Sequence, residues 1–399
     1  MRKIKLKNGL TIIYDKQPTK SVSIQVTVKV GSNHETKKNN GISHFIEHML
    51  FEGTKTRSNQ EIANEIERLG GELNAATTAE RTYYYVKILN KYFDKALDIL
   101  SDLTQNPNFD IKAMEKEKKV ILNEINLVND EPRFYQWILL QRTLFDSNAR
   151  LPTYGDKDVV KKLKQDVVLS YYNHHYTANN VVISIVGNIE NPINQIKKKF
   201  NKLKHRKLKK IILKESKNKF KKIIEKKKTN QTYILLGYKV PNRNSKESYV
   251  FDILHAILGR GQSGRLFDEI REKRGLAYEV GVQHESGVDI SLFAVYVSTT
   301  NKKKINEIIT IILNEFDKLK KINSKTLNEA KTYIEGNFAL ENEDTKEKSD
   351  LIAFWELVSK AEDVNNYITR IKKVTINDVK DVVKKYLNKD YTLAILEPT

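Results

Sequence analysis

Residues 41–51 read Gly-Ile-Ser-His44-Phe-Ile-Glu47-His48-Met-Leu-Phe. On a helix, positions i, i+3 and i+4 share a face, so His44, Glu47 and His48 project together while Ile42, Ile46, Met49 and Leu50 supply packing. Two neutral imidazoles one turn apart offer two nitrogens to a zinc ion. Glu47, beside the second histidine, is placed to take a proton from a water activated by that ion. Polar groups on an otherwise apolar segment need a partner when buried, and a metal would be that partner.

A third ligand is expected, and the helix spanning 111–127 offers two candidates. Glu117, Val120, Ile121 and Glu124 fall at i, i+3, i+4 and i+7, so two carboxylates share a face with branched apolar residues. Such a pair is costly when buried unless a cation or hydrogen bonds compensate it. Taken alone, with Lys116, Lys118 and Lys119 around it, this helix reads as amphipathic and solvated. Taken with the histidine pair, one of its carboxylates completes a set of two nitrogens and one oxygen. A fourth position then stays open for water, as in catalytic zinc sites.

The elements that must position these groups recur along the chain. A strand-like run at 22–30 precedes helices at 42–51 and 58–69, a Gly70-Gly71 break, a strand region at 73–88 and helices at 92–103 and 111–127. In the second half a strand at 231–238 precedes helices at 249–258 and 264–273, a Gly275 break, strands from 277 and 290, and helices at 303–319 and 324–335. This order implies a duplicated domain of about 200 residues. Hairpins mixed with helices predict an α+β fold, each half a mixed β-sheet flanked by helices. The expected division is a zinc-binding domain at 1–200, a basic connector at 201–222 and a homologous second domain at 223–399.

The charge fits that division. The 399 residues carry 70 Lys and Arg against 50 Asp and Glu, a formal charge of +20. Residues 197–228 hold 17 Lys and Arg but only Glu215 and Glu225, so one segment supplies 15 of the 20 excess charges. A charge run is usually a solvated face or linker, so this one reads as a connector between the halves and no nucleic-acid partner is expected. No apolar stretch approaches the roughly 18 residues of a membrane span, so no membrane partner is expected. The first ten residues alternate like a strand rather than a secretory signal. Without cysteine there is no disulfide framework, and a reducing cytoplasm fits best. The loop at 258–265 lacks the Lys-Ser/Thr ending of a nucleotide cradle.

The stretch Gly41-Ile-Ser-His44-Phe-Ile-Glu47-His48-Met-Leu-Phe-Glu-Gly-Thr54 resembles the signature of pitrilysin or insulinase-type zinc metallopeptidases, the inverzincins, whose helix reads His-x-x-Glu-His. The similarity extends along the chain and points to the short two-domain subfamily, bacterial or like mitochondrial processing peptidase. Glu124, 76 positions after His48, lies in the family's range for its third ligand. The resemblance therefore implies one Zn2+ per chain held by His44, His48 and Glu124, with Glu117 as an outer support. Gly70-Gly-Glu-Leu-Asn74-Ala75 resembles the edge strand along which the family lays an extended peptide, which implies substrate contacts at Asn74 and Ala75. The run from Leu266 to Tyr278 resembles the family's Arg and Tyr pair, and implies that Arg271 and Tyr278 reach substrate carbonyls and the developing oxyanion.

What the resemblance implies is endopeptidase action on unfolded oligopeptides, with Glu47 as general base. It also implies that one chain forms half of a clamshell, two chains pairing as a homodimer around a chamber with sites shared across chains. Three other readings stand beside it. These are a non-catalytic scaffold or processing subunit of the same family, a nucleic-acid-binding protein working through the basic run, and a different metal enzyme such as a deacylase.

Overall fold

The computed structural model describes residues 1–209 and 211–399, so Lys210 of the basic run lies outside the described residues. The chain divides into two compact units. One holds 1–125, 151–211 and 340–364; the other holds 126–150, 212–339 and 365–399.

The first unit is built on a six-stranded sheet. Its strands are β1 (Arg2–Lys5), β2 (Thr11–Lys16), β3 (Ser21–Val28), β4 (Glu72–Thr77), β5 (Thr82–Leu89) and β6 (Val181–Gly187), in the order β1-β2-β6-β3-β5-β4. Only β2 and β6 run parallel; the other neighbours are antiparallel. Strand β3 sits between β5 and β6 with Val26 opposite Tyr84 on one side and Ile183 on the other, and Val22–Val28 is buried throughout. The strand alternates nonetheless, with Val22, Ile24, Val26 and Val28 on one face and Ser23, Gln25 and Thr27 on the other, and both faces are covered.

The second unit carries a five-stranded sheet of β7 (Lys221–Lys227), β8 (Thr232–Val240), β9 (Glu279–Ser286), β10 (Ser291–Thr299) and β11 (Thr392–Pro398), ordered β7-β11-β8-β10-β9. Its one parallel pair is β7 with β11. Strand for strand this repeats β2-β6-β3-β5-β4, so the two halves share one topology. The expected α+β class with two mixed sheets is what the chain adopts.

Five helices of the first half bear on the site: α1 (Ile42–Phe51), α2 (Asn59–Glu67), α3 (Phe93–Gln105), α4 (Ile111–Asp130) and α5 (Pro132–Leu144). Ser58 starts α2 through a capping box with Glu61, and Pro132 sits at the first position of α5. Helix α5 does not cover its own half's sheet. Leu139, Leu140 and Leu144 pack with Leu235 of β8 and Ala394 of β11. The topologically equivalent helix of the second half, Thr345–Val358, lies against β3 and β6. There Asp350 accepts from Gln25 at 2.8 Å, and Ser349 and Ser184 hydroxyls meet at 3.2 Å. The units thus exchange equivalent helices, whereas the expected boundaries at 200 and 223 follow the sequence repeat.

Two local expectations differ from the structure. The basic run is partly regular: Lys197–Lys199 end the helix Pro192–Lys199, and Lys221–Lys227 form β7. On this edge strand Lys222 and Lys226 are exposed, while Lys221 donates to the Thr143 carbonyl at 2.9 Å and Ile223 packs inward. The helix expected over 264–273 is a short turn at Arg265–Phe267 followed by wide π-type turns at Asp268–Glu272. The chain leaves it through Gly275 at φ 58°, in the left-handed region that glycine tolerates.

Candidate metal centre

Helix α1 starts at Gly41, whose φ of 96° lies in the left-handed region. A side chain there would also meet the Cα of Gly155 at 2.7 Å, so glycine is required twice over. The first-turn amides are satisfied by a buried carboxylate. Glu35 accepts from the main-chain N–H of Gly41 at 2.7 Å and of Ser43 at 2.8 Å, and from Asn40 Nδ2 at 2.8 Å. A negative charge at a helix N-terminus is favourable, and these bonds fix the start of the helix. Ile42, Phe45, Ile46, Met49 and Leu50 then sink into the first unit's core. His44, Glu47 and His48 are left on the remaining face.

The second contribution comes from α4. His44 Nε2 and His48 Nε2 lie 3.2 Å apart, and Glu124 Oε2 is 3.8 Å from the first and 3.5 Å from the second. Among the described residues these three form the one His, Cys, Asp or Glu group whose ligand atoms all lie within 4.8 Å of one another. Ligands held about 2.0–2.1 Å from a tetrahedral zinc stand roughly 3.3 Å apart, so the spacing and the donor set both fit that ion.

The surroundings prepare the donors. His48 Nδ1 meets Glu117 Oε1 at 2.7 Å, and Glu117 is 8% exposed at its side chain, so its charge acts through the imidazole rather than on solvent. Two residues the sequence left open are thus given different places, Glu124 beside the Nε2 atoms and Glu117 behind the ring. Burial, with the neighbouring His48, pushes the His44 pKa down to about 3, which keeps that imidazole neutral. His44 Nδ1 is buried with no hydrogen-bond partner among the described residues, and the Tyr154 ring stands edge-on at 5.7 Å. Burial works against protonation of His48, but the Glu117 hydrogen bond and the charges of Glu124 and Glu47 outweigh it and raise its pKa. Burial also raises the Glu47 carboxyl, partly countered by the Thr77 hydroxyl and by His48.

The other expected residues fall elsewhere. Asn74 and Ala75 lie in β4, which pairs with β5 on one side and is open on the other; Asn74 Oδ1 accepts from the Ala75 amide at 2.8 Å. Arg271 and Tyr278 belong to the second unit and meet each other. Arg271 Nη1 donates to the Tyr278 carbonyl at 2.8 Å, its guanidinium lies 5.0 Å from the Tyr278 ring centre, and Tyr278 is 66% exposed. Two residues escaped the sequence reading: Glu35 and Thr77. Thr77 had a signal, being polar in the phase of β4 where Leu73 and Ala75 pack on the core. Glu35 had none, because its partners are main-chain amides.

Comparison with known proteins now bears on this arrangement. Residues 10–157 match the family model for insulinase, peptidase family M16, and residues 162–334 match the model described as the peptidase M16 inactive domain. The chain is 32% identical over 398 residues to the uncharacterized zinc protease YmxG of Bacillus subtilis, covering 98% of this chain and 97% of that one. It is 33% identical over 410 residues to an uncharacterized zinc protease of Rickettsia felis, covering 99% and 97%. The fold matches a protease from Helicobacter pylori with a TM-score of 0.94 at 23% identity, covering 100% and 99% of the two chains. It matches a Pseudomonas fluorescens protein titled peptidase M16 inactive domain with a TM-score of 0.88 at 19% identity, covering 100% and 98%. The chain belongs to peptidase family M16, in its short two-domain form. Its relatives are named zinc proteases, and the His-His-Glu group fits that metal. In the second half the helix that follows β8, Lys246–Gly259, carries no His-x-x-Glu-His.

Proposed function

We propose that this chain is a zinc-dependent endopeptidase that hydrolyses unfolded oligopeptides, with water as nucleophile and Glu47 as general base. The observation that carries the reading is the convergence of His44, His48 and Glu124 within 4.8 Å, with Glu47 on the same helix face. His44, His48 and Glu124 hold one zinc, and Glu117 orients His48. The bound ion supplies Lewis-acid chemistry, acidifying water and polarising the scissile carbonyl.

Glu47 takes one proton as the water oxygen bonds to the carbonyl carbon, and passes it to the amine as the C–N bond breaks. Burial raises the pKa of its carboxyl above the ordinary carboxylate value, which favours taking up the proton. The open edge of β4 at Asn74 and Ala75 takes the peptide as an added strand, which accepts many sequences because the main chain does the pairing. Arg271 and Tyr278 bind substrate carbonyls and the oxyanion. We further propose a homodimer with composite sites around a chamber, working in the cytoplasm.

The test is a digest of a mixed peptide library by metal-stripped protein, with and without added zinc, read by mass spectrometry. Internal cleavages that depend on zinc support the reading; a silent digest with zinc bound contradicts it. Activity retained by a monomer at high dilution contradicts the dimer alone.

A further inference from the structure

Thr77 ends β4, opposite Thr82 of β5, and its hydroxyl meets Glu47. The hydroxyl donates to Glu47 Oε2. The hairpin sets this up. The Thr78 amide donates to the Arg81 carbonyl at 2.8 Å within the turn, so the preceding amide faces away from β5 and toward the open edge. The Thr82 hydroxyl stands 3.3 Å from that of Thr77 but gives its own proton to the Val30 carbonyl at 2.9 Å, so it makes no claim on Glu47 and leaves that place to Thr77. Threonine is stiff at χ1, so the hydroxyl is held in one direction. A side chain serving only as core filler would need none of this, and Val would fill the same space.

We propose that Thr77 is a positioning residue for the peptidase reaction: with its hydroxyl it holds the Glu47 carboxylate where the proton of the attacking water must go. This rests on the functional reading above. Thr77 keeps its own proton throughout, and the proton in flight passes from water to Glu47 and on to the leaving amine. The arrangement ties the base to the strand whose open edge takes the peptide, so substrate and base share one rigid support. Without the hydroxyl, the long Glu47 side chain regains rotamers. A misplacement near 1 Å costs about 100-fold in rate.

The experiment compares zinc-loaded wild type, Thr77→Val and Thr77→Ser on one fluorogenic peptide, with zinc content measured for each and crystal structures of the metal-free variants. Thr77→Val is expected to lose about 30- to 100-fold in kcat with KM within about twofold, zinc content unchanged and Glu47 in a second rotamer. Thr77→Ser is expected to restore kcat to within about threefold and keep the wild-type rotamer. Thr77→Val with wild-type kcat overturns the proposal. So does a fall in zinc content that matches the fall in rate, or a Ser variant as slow as Val. Wild type without zinc-dependent hydrolysis brings down the functional reading on which the proposal rests.

Discussion

Replacing Glu117 with Gln tests whether the acid behind His48 supports the metal centre. The substitution keeps the shape of the side chain and removes the charge that meets His48 Nδ1 at 2.7 Å from a site only 8% exposed. A carboxylate there fixes the ring so that Nε2 points forward and raises its basicity as a donor; an amide does the first weakly and the second hardly at all. Losing such a partner costs about 10- to 100-fold in metal affinity, which is roughly 1.4–2.7 kcal/mol. The assay is competition for zinc against a chromophoric chelator, run beside thermal unfolding of the metal-free proteins. The expected result is a Kd raised by that factor with little change in metal-free Tm, because neither helix loses a packing group. A variant that binds zinc as tightly as wild type would refute the assigned role of Glu117.

Other predictions concern stability. Asp252 is buried against Arg243 at 2.6 Å, His284 at 2.9 Å and Tyr367 at 3.1 Å, so Asp252→Asn should destabilise the chain by about 3–5 kcal/mol, read by denaturant unfolding. Burial alone would raise that carboxyl, but Arg243 and His284 hold it well below the usual range. Its folded pKa is therefore the lower one: the contribution is complete above the unfolded value near 3.9 and is lost as pH falls through the folded value, so the variant should show a shallower acid decline below about pH 4. Leu140 is fully buried on Gly237, its Cδ atoms 3.0 Å from where a Cβ would stand, so Leu140→Ala should cost about 2–5 kcal/mol. Adding Gly237→Ala should refill part of that cavity, and a double variant no more stable than the sum of the singles would contradict the packing of α5 on β8.

Local pattern carried far in this chain. The helix expected at 42–51 is α1 residue for residue, because Gly41 and the i, i+3, i+4 spacing act within one turn. The strand region at 73–88 became the β4–β5 hairpin, and the two carboxylates of α4 share a face as their spacing of seven requires. What periodicity does not carry is the partner. Leu139, Leu140 and Leu144 announce an apolar helix face but not that it belongs to β8 and β11, so the exchanged helices were invisible. The choice between Glu117 and Glu124 likewise needs the reach from α4 to each ring nitrogen. Glu35 bonds main-chain amides, which every residue possesses, so its type alone gave no sign.

The central claim is that His44, His48 and Glu124 hold zinc while Glu47 moves the proton. The most direct test is Glu47→Gln, with zinc content and single-turnover peptide hydrolysis measured on the same preparation. The account predicts wild-type zinc and a rate lower by about 100-fold or more. A Glu47→Gln variant that binds zinc and cleaves at near the wild-type rate would contradict it.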